Sequence, residues 1–93
     1  MATRPDVVIP SNEYVSLNTL TGIAVGSAMS IVLKTVNPIN LYEGSTKPDA
    51  AVRDGRPLLN MFTNCADVTI AAGSEEIWAI CTSGLSAKVN VEG

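Results

Sequence analysis

Residues 85–92 read LSAKVNVE, and this stretch decides the fold class because apolar and polar side chains alternate along it without a break. In an extended chain successive side chains point to opposite faces of a sheet. One face of this segment therefore carries Leu85, Ala87, Val89 and Val91, and the other carries only polar residues. The pattern predicts a β-strand with one face in a core and one in water.

The stretch before it, residues 75–82, is apolar on both faces. Ile77, Ala79 and Cys81 share one face, and Trp78 and Ile80 share the other. Such a strand lies in the centre of a sheet or under an interface. Residues 29–36 show the same two-sided pattern.

The turn residues in this part of the chain predict how the strands connect. Ser83-Gly84 indicates a tight hairpin between the last two strands, and Gly73-Ser74 indicates another one before Trp78. Together they predict a three-stranded meander.

Upstream, short β-branched and apolar runs alternate with turn residues at intervals of about ten residues, which is typical of a sandwich or barrel. No segment shows helical periodicity. We predict an all-β domain at residues 13–93, a single small β-sandwich or jelly-roll-like barrel of seven or eight antiparallel strands. The predicted strands are 13–18, 19–24, 29–36, 39–43, 57–62, 66–71, 75–82 and 85–92.

Residues 1–12 form a separate segment bracketed by Pro5 and Pro10, and the residue before each proline is steered to extended geometry. We interpret it as an extended N-terminal arm. Its apolar residues Val7, Val8 and Ile9 suit it to lie along its own domain or a neighbour's, and they are candidate interface residues. A disordered arm is the alternative.

The composition excludes several classes of function. A chain of 93 residues leaves room for one domain. The net charge of −3 and the four aromatic residues argue against nucleic-acid binding. With no histidine, the commonest general base and metal ligand are missing, so we predict no enzyme activity and no cofactor. Since 46% of the residues are hydrophobic and 16% are charged, we expect apolar surface to meet another protein.

No residue pattern recommends a catalytic or metal site. The longest predicted loop, residues 43–56, holds six of the fifteen charged residues, and we interpret it as solvated. Its Asp49 and Asp54 lack the ligand spacing of a calcium loop. Glu75 and Glu76 point to opposite faces of a strand, so they cannot share a metal or proton.

Three further features have structural rather than functional interpretations. Cys65 and Cys81 are too far apart for a CxxC pair, and we interpret both as small buried hydrophobes, with a disulfide as the alternative. Residues 14–33 carry no charge, but their many polar side chains argue against a membrane helix. The start of the chain lacks a signal-peptide pattern, so we expect the protein to be made and kept in a cytoplasm.

A sugar site is the best small-ligand alternative. Trp78, joined by Tyr42, provides an aromatic surface for a pyranose ring if both lie on an exposed face. The competing interpretation places Trp78 as a core anchor between two sheets.

The order of several short pieces carries a family resemblance. They are the run at 14–26, a strand into Lys34, EGSTKP at 43–48, DGRPL at 54–58 and AGSEEIW at 72–78. In this order, over residues 13–92, the chain resembles small virion-associated β-sandwich proteins of tailed bacteriophages, of the head-decoration or neck and tail-adaptor type. The resemblance implies a structural part of a symmetric assembly on the capsid, at the neck or along the tail, with no catalytic residues.

These observations predict a non-enzymatic structural protein of a bacteriophage particle, located in the virion. Its predicted partners are copies of itself and other virion proteins, with no nucleic acid and no membrane. Val7, Val8, Ile9, Tyr42 and Trp78 are the predicted interface residues. The alternative is a carbohydrate- or receptor-binding module that uses Trp78 and Tyr42.

Overall fold

The computed structural model describes residues 4–59 and 67–93. In chain order its elements are β1 (Val7–Ile9), β2 (Val15–Ser16), α1 (Leu17–Thr21), β3 (Met29–Leu33), β4 (Ile39–Glu43), β5 (Arg56–Leu58), β6 (Asp67–Ile70), β7 (Ile77–Cys81) and β8 (Ala87–Glu92). The strands form two four-stranded antiparallel sheets, in the orders β1-β8-β3-β6 and β2-β7-β4-β5. The prediction of a mostly β protein is confirmed.

Both sheets contribute to one buried apolar cluster. In β8, Ala87, Val89 and Val91 are buried and the residues between them are not, so the alternation seen in the sequence is confirmed for these three residues. Leu85 is an exception, because it precedes the strand and is 65% exposed. The facing residues of β3 and β7 join the same cluster.

The two-sided strands occupy the central positions that their patterns predict. β3 pairs with β6 and β8, and β7 pairs with β2 and β4. On β7 the residues Ile77, Ala79 and Cys81 face the shared cluster, whereas Ile80 is buried outside that cluster. Trp78 is only half-buried and lies outside the cluster, so its interpretation as an anchor between two sheets is wrong.

The predicted three-stranded meander is also wrong. β6 and β8 belong to the first sheet and β7 belongs to the second, so both turns that precede and follow β7 carry the chain between sheets. The Gly73 turn forms no hairpin. Instead, the Gly73 N–H donates to the Gly26 carbonyl over 2.8 Å. A glycine turn satisfies a hairpin and a crossover equally well, so these turns do not specify which sheet the next strand joins.

The sequence shows no helical periodicity, yet residues 17–21 form the short helix α1, which takes up the end of the strand predicted at 13–18 and the first half of the strand predicted at 19–24. Ser16 caps its start by accepting a hydrogen bond from the Thr19 N–H at 3.1 Å. Gly22 ends it with a φ of 77°, and its N–H donates to the Asn18 carbonyl. One turn and a half is too short to produce a periodic pattern, so its caps were the available signals.

The remaining predictions concern the two cysteines, the strand at 57–62 and the possibility of a membrane helix. Cys81 is a buried free thiol, as expected, whereas Cys65 and the end of the strand predicted at 57–62 lie outside the described residues. Among the described residues no helix is long and apolar enough to cross a membrane.

Candidate functional site

The predicted arm residues form the edge strand β1. Val7, Val8 and Ile9 pair in register with Val89, Lys88 and Ala87 of the same chain. Ile9 is fully buried, Val7 is half-buried and Val8 is 55% exposed. Of the three predicted interface residues, Val8 therefore offers the most surface to a partner.

Polar contacts fix the chain just before β1. The Asp6 carboxylate forms a salt bridge with Lys34 at 2.9 Å and accepts a hydrogen bond from Asn90. The hydrogen bond from Lys34 and then that from Asn90 hold the pKa of Asp6 below its ordinary value. Arg4 donates through Nη1 to the Thr21 carbonyl at 2.8 Å, at the end of α1.

Tyr42 and Trp78, the other two predicted interface residues, are cross-strand neighbours on β4 and β7. Both are half-buried. The Trp78 indole N–H donates to the Gly44 carbonyl at 3.0 Å, and the Tyr42 ring packs edge-on against Tyr14 with ring centroids 6.2 Å apart. The structure thus brings these two aromatic residues together and adds a third.

The loop between β4 and β5 folds against this region of the second sheet. Asn40, buried in β4, donates through Nδ2 to the Asp54 carbonyl at 2.8 Å and to the Tyr14 hydroxyl at 2.9 Å. The Tyr14 hydroxyl in turn donates to the Val52 carbonyl. Buried polar groups need such partners. The sequence predicted that this loop is solvated. In the structure its backbone is hydrogen-bonded to the side chains of Tyr14 and Asn40.

Sequence reasoning missed the roles of Tyr14 and Asn40. Tyr14 is almost completely buried, although it lies outside any regular strand. A polar asparagine between Ile39 and Leu41 in an apolar strand was the available signal, because a buried amide requires hydrogen-bond partners from elsewhere in the chain.

Two shallow clefts border the aromatic residues. One, of about 280 Å³, is lined by Trp78, Leu20, Ser16 and neighbouring residues, and the Glu13–Lys47 salt bridge of 2.5 Å lies beside it. The other, of about 300 Å³, contains Tyr42, Glu43 and Arg56. Trp78 and Tyr42 thus line different clefts rather than one common ring-binding surface.

Two charged side chains of the long loop bind to its own backbone. Asp49 accepts a hydrogen bond from the Ala51 N–H at 3.0 Å, and Arg53 donates to the carbonyls of Ala50 and Val52. In residues 4–59 and 67–93 no group of three or more metal-ligating side chains comes together.

The remaining exposed apolar side chains lie mainly on loops at two ends of the strands. We call the first the lysine end, made of residues 34–38 and 82–88. Its two loops are joined by hydrogen bonds from Thr82 to the Pro38 carbonyl and from Asn37 to the Ser86 carbonyl, at 2.9 and 2.7 Å. Val36 and Leu85, on these joined loops, are 78% and 65% exposed.

We call the second the glutamate end, made of residues 22–28 and 71–76 with Glu43. The Gly73 to Gly26 hydrogen bond joins its loops, and the Glu75 N–H donates to the Glu43 carboxylate at 3.0 Å. Val25 is 56% exposed, and Ala71 and Ala72 are exposed on the other loop, next to Gly73. This surface is apolar with an acidic margin.

Comparisons of the chain with protein families, with curated proteins and with solved structures find no match.

Proposed function

We propose that this protein is a non-enzymatic structural subunit that associates with copies of itself. The observation that carries the proposal is the exposure of Val36 and Leu85 on two joined loops. Large apolar side chains grouped at a surface mark sites of protein contact more often than isolated ones do. The sequence resemblance supplies the setting, a bacteriophage particle in which the subunit decorates the capsid or joins head and tail parts.

We infer that the two sheets pack face to face as a β-sandwich. The support is that buried residues of β3 and β8 from one sheet and of β4 and β7 from the other belong to one cluster. Aligned sheets of this kind share a core supplied by their inner faces. A rigid sandwich keeps its loops in fixed positions at the strand ends, which suits a subunit that docks by its loops.

Light scattering of the purified protein over a range of concentrations tests the self-association. We expect an average mass that rises with concentration to at least twice 9.7 kDa. A protein that stays monomeric at the highest soluble concentration would contradict the proposal.

The particle setting needs a separate measurement. Antibody labelling of purified phage particles in the electron microscope should place the chain over the capsid, at one vertex or along the tail. Mass spectrometry of the same particles that finds none of this chain would remove the virion setting and leave the self-association untouched.

The second candidate is a carbohydrate- or receptor-binding module, favoured by the half-buried Trp78 beside a cleft of about 280 Å³. Tryptophan and tyrosine are enriched at binding interfaces because each combines an apolar ring with a polar group. Tryptophan emission discriminates, because Trp78 is the single tryptophan in the chain. Emission that shifts when a glycan is added supports this candidate, and unchanged emission across a glycan panel opposes it.

A further inference from the structure

The lysine end and the glutamate end lie at opposite ends of the same two central strands. Residues 22–28 precede β3 and residues 34–38 follow it, while residues 71–76 precede β7 and residues 82–86 follow it. A five-residue strand spans about 17 Å. Each molecule therefore presents two different apolar surfaces that point away from one another.

The two ends differ in charge. Residues 34–38 and 82–88 contain Lys34 and Lys88 and no carboxylate, and Asp6 pairs with Lys34. The loops of the glutamate end contain Glu75 and Glu76 and no basic residue, and Glu43 joins them. Arg4 and Arg56 are the basic residues nearest to that end, the first bound to the Thr21 carbonyl and the second in the cleft with Glu43. Opposite charges beside two apolar surfaces are complementary across an interface.

The sheet edges are poor alternatives for self-association. The edge strands β1, β2, β5 and β6 contain three, two, three and four residues. β5 also carries Pro57, which has no N–H to donate to a partner strand. Short edge strands and prolines are common means of preventing edge-to-edge pairing.

We infer that the subunits associate head to tail, the lysine end of one copy binding the glutamate end of the next. Val36 and Leu85 of one copy meet Val25, Ala71 and Ala72 of the other, with Lys88 close to Glu75. A contact between two different surfaces is heterologous, so it produces a closed ring when the rotation between copies closes and a filament when it does not. This inference rests on the proposed self-association and specifies the surfaces that make it.

Two variants block one end each. Leu85→Asp places a carboxylate at the lysine end, where it repels the glutamates of the next copy. Val25→Lys removes an apolar side chain from the glutamate end and repels the lysines. Both residues are exposed, at 65% and 56%, so neither change disturbs the core. We expect each variant alone to self-associate at least about tenfold more weakly than the wild-type chain, on the scale of about tenfold per 1.4 kcal/mol.

Mixing the two variants is the decisive experiment. Each retains one native end, and those ends are different, so native mass spectrometry of the mixture should show complexes with the two chains in equal numbers. Ala51→Asp is the matched control, since Ala51 is exposed on the loop between β4 and β5 and belongs to neither end, and it should assemble like the wild type. Circular dichroism of each variant checks that it folds.

Three results would contradict the head-to-tail contact or the self-association on which it rests. A Leu85→Asp or Val25→Lys chain that still forms dimers alone would indicate a contact between like ends and overturn the inference. Normal assembly of both, with weakened assembly of Val8→Asp, would move the contact to β1 and also overturn it. A wild-type chain that is monomeric throughout would instead refute the proposed function itself.

Discussion

Replacing Tyr14 with phenylalanine should destabilise the protein and loosen the loop between β4 and β5. The hydroxyl group accepts a hydrogen bond from Asn40 Nδ2 at 2.9 Å and donates one to the Val52 carbonyl. Because the ring itself is buried and stays in place, the substitution removes these two hydrogen bonds and little else.

The size of the effect follows from what each partner retains. Two hydrogen bonds contribute about 1–3 kcal/mol to the free energy of unfolding. Asn40 keeps its bond to the Asp54 carbonyl, and the Val52 contact is only partly buried, so water can replace part of the loss. We therefore expect a decrease of about 1–2 kcal/mol, or a drop in the melting temperature of roughly 5–15 °C.

Urea denaturation followed by circular dichroism measures the decrease, and Tyr42→Phe is the matched control. Tyr42 is only half-buried, and the described residues provide no hydrogen bond to its hydroxyl, so this change should cost less than about 0.5 kcal/mol. Limited proteolysis reports on the loop. Lys47 and Arg56 precede prolines, which leaves Arg53 as the tryptic site between residues 44 and 56. Equal stability of the two variants, with equal cleavage at Arg53, would refute the attachment of the loop through Tyr14.

Four further changes test other parts of the structure. Gly55→Ala should lower the free energy of unfolding by about 3 kcal/mol or more, because Gly55 has a φ of 107° and a Cβ there would lie 2.1 Å from the Leu41 carbonyl oxygen. Gly84→Ala, at a φ of 84° in open space, should cost only about 1–2 kcal/mol by the same urea titration. Because the pKa of Asp6 is lowered in the folded state, its contacts contribute stability at pH values above its ordinary pKa of 3.8, and this stability is lost as the pH falls through the folded-state pKa. Asp6→Asn should therefore flatten the acid side of a plot of urea midpoint against pH. An unchanged acid side would oppose the Asp6–Lys34 pair. In a Cys65→Ser variant the buried Cys81 should react with a thiol reagent only as fast as the protein unfolds, whereas immediate labelling would contradict its burial.

The sequence predicts the positions of the strands better than it predicts which strands pair with one another. Alternation is a local property, so β8 and the two-sided β7 are recognisable from their own residues. The assignment of β7 to the second sheet depends on which face of each neighbour is buried, and no single segment carries that information. Gly73 and Gly84 permit a chain reversal without specifying whether the chain stays in its sheet.

The candidate surfaces likewise depend on contacts between distant segments, which the sequence does not reveal. The exposure of Val8 and the half-burial of Trp78 depend on pairings with Lys88 and Tyr42, which are distant in the sequence. The polar contacts of Tyr14 and Asn40 join segments 26 residues apart. The apolar excess in the composition predicted contact with another protein, but its distribution over two ends appears only once the strands are arranged.

The distribution of charged residues along the chain explains why the two end surfaces are largely apolar. Six of the fifteen charged residues lie at 43–56, where the loop carrying them is attached to the second sheet through Tyr14, Asn40 and Trp78. This places a large share of the charge beside the sheet and leaves few charges for the loops at its ends. The loops around Val25 and Leu85 expose apolar side chains, and their own charged residues are only glutamates in the first case and only lysines in the second. If the ends bind another copy as we propose, the end variants, rather than changes on the sheet faces, should control assembly.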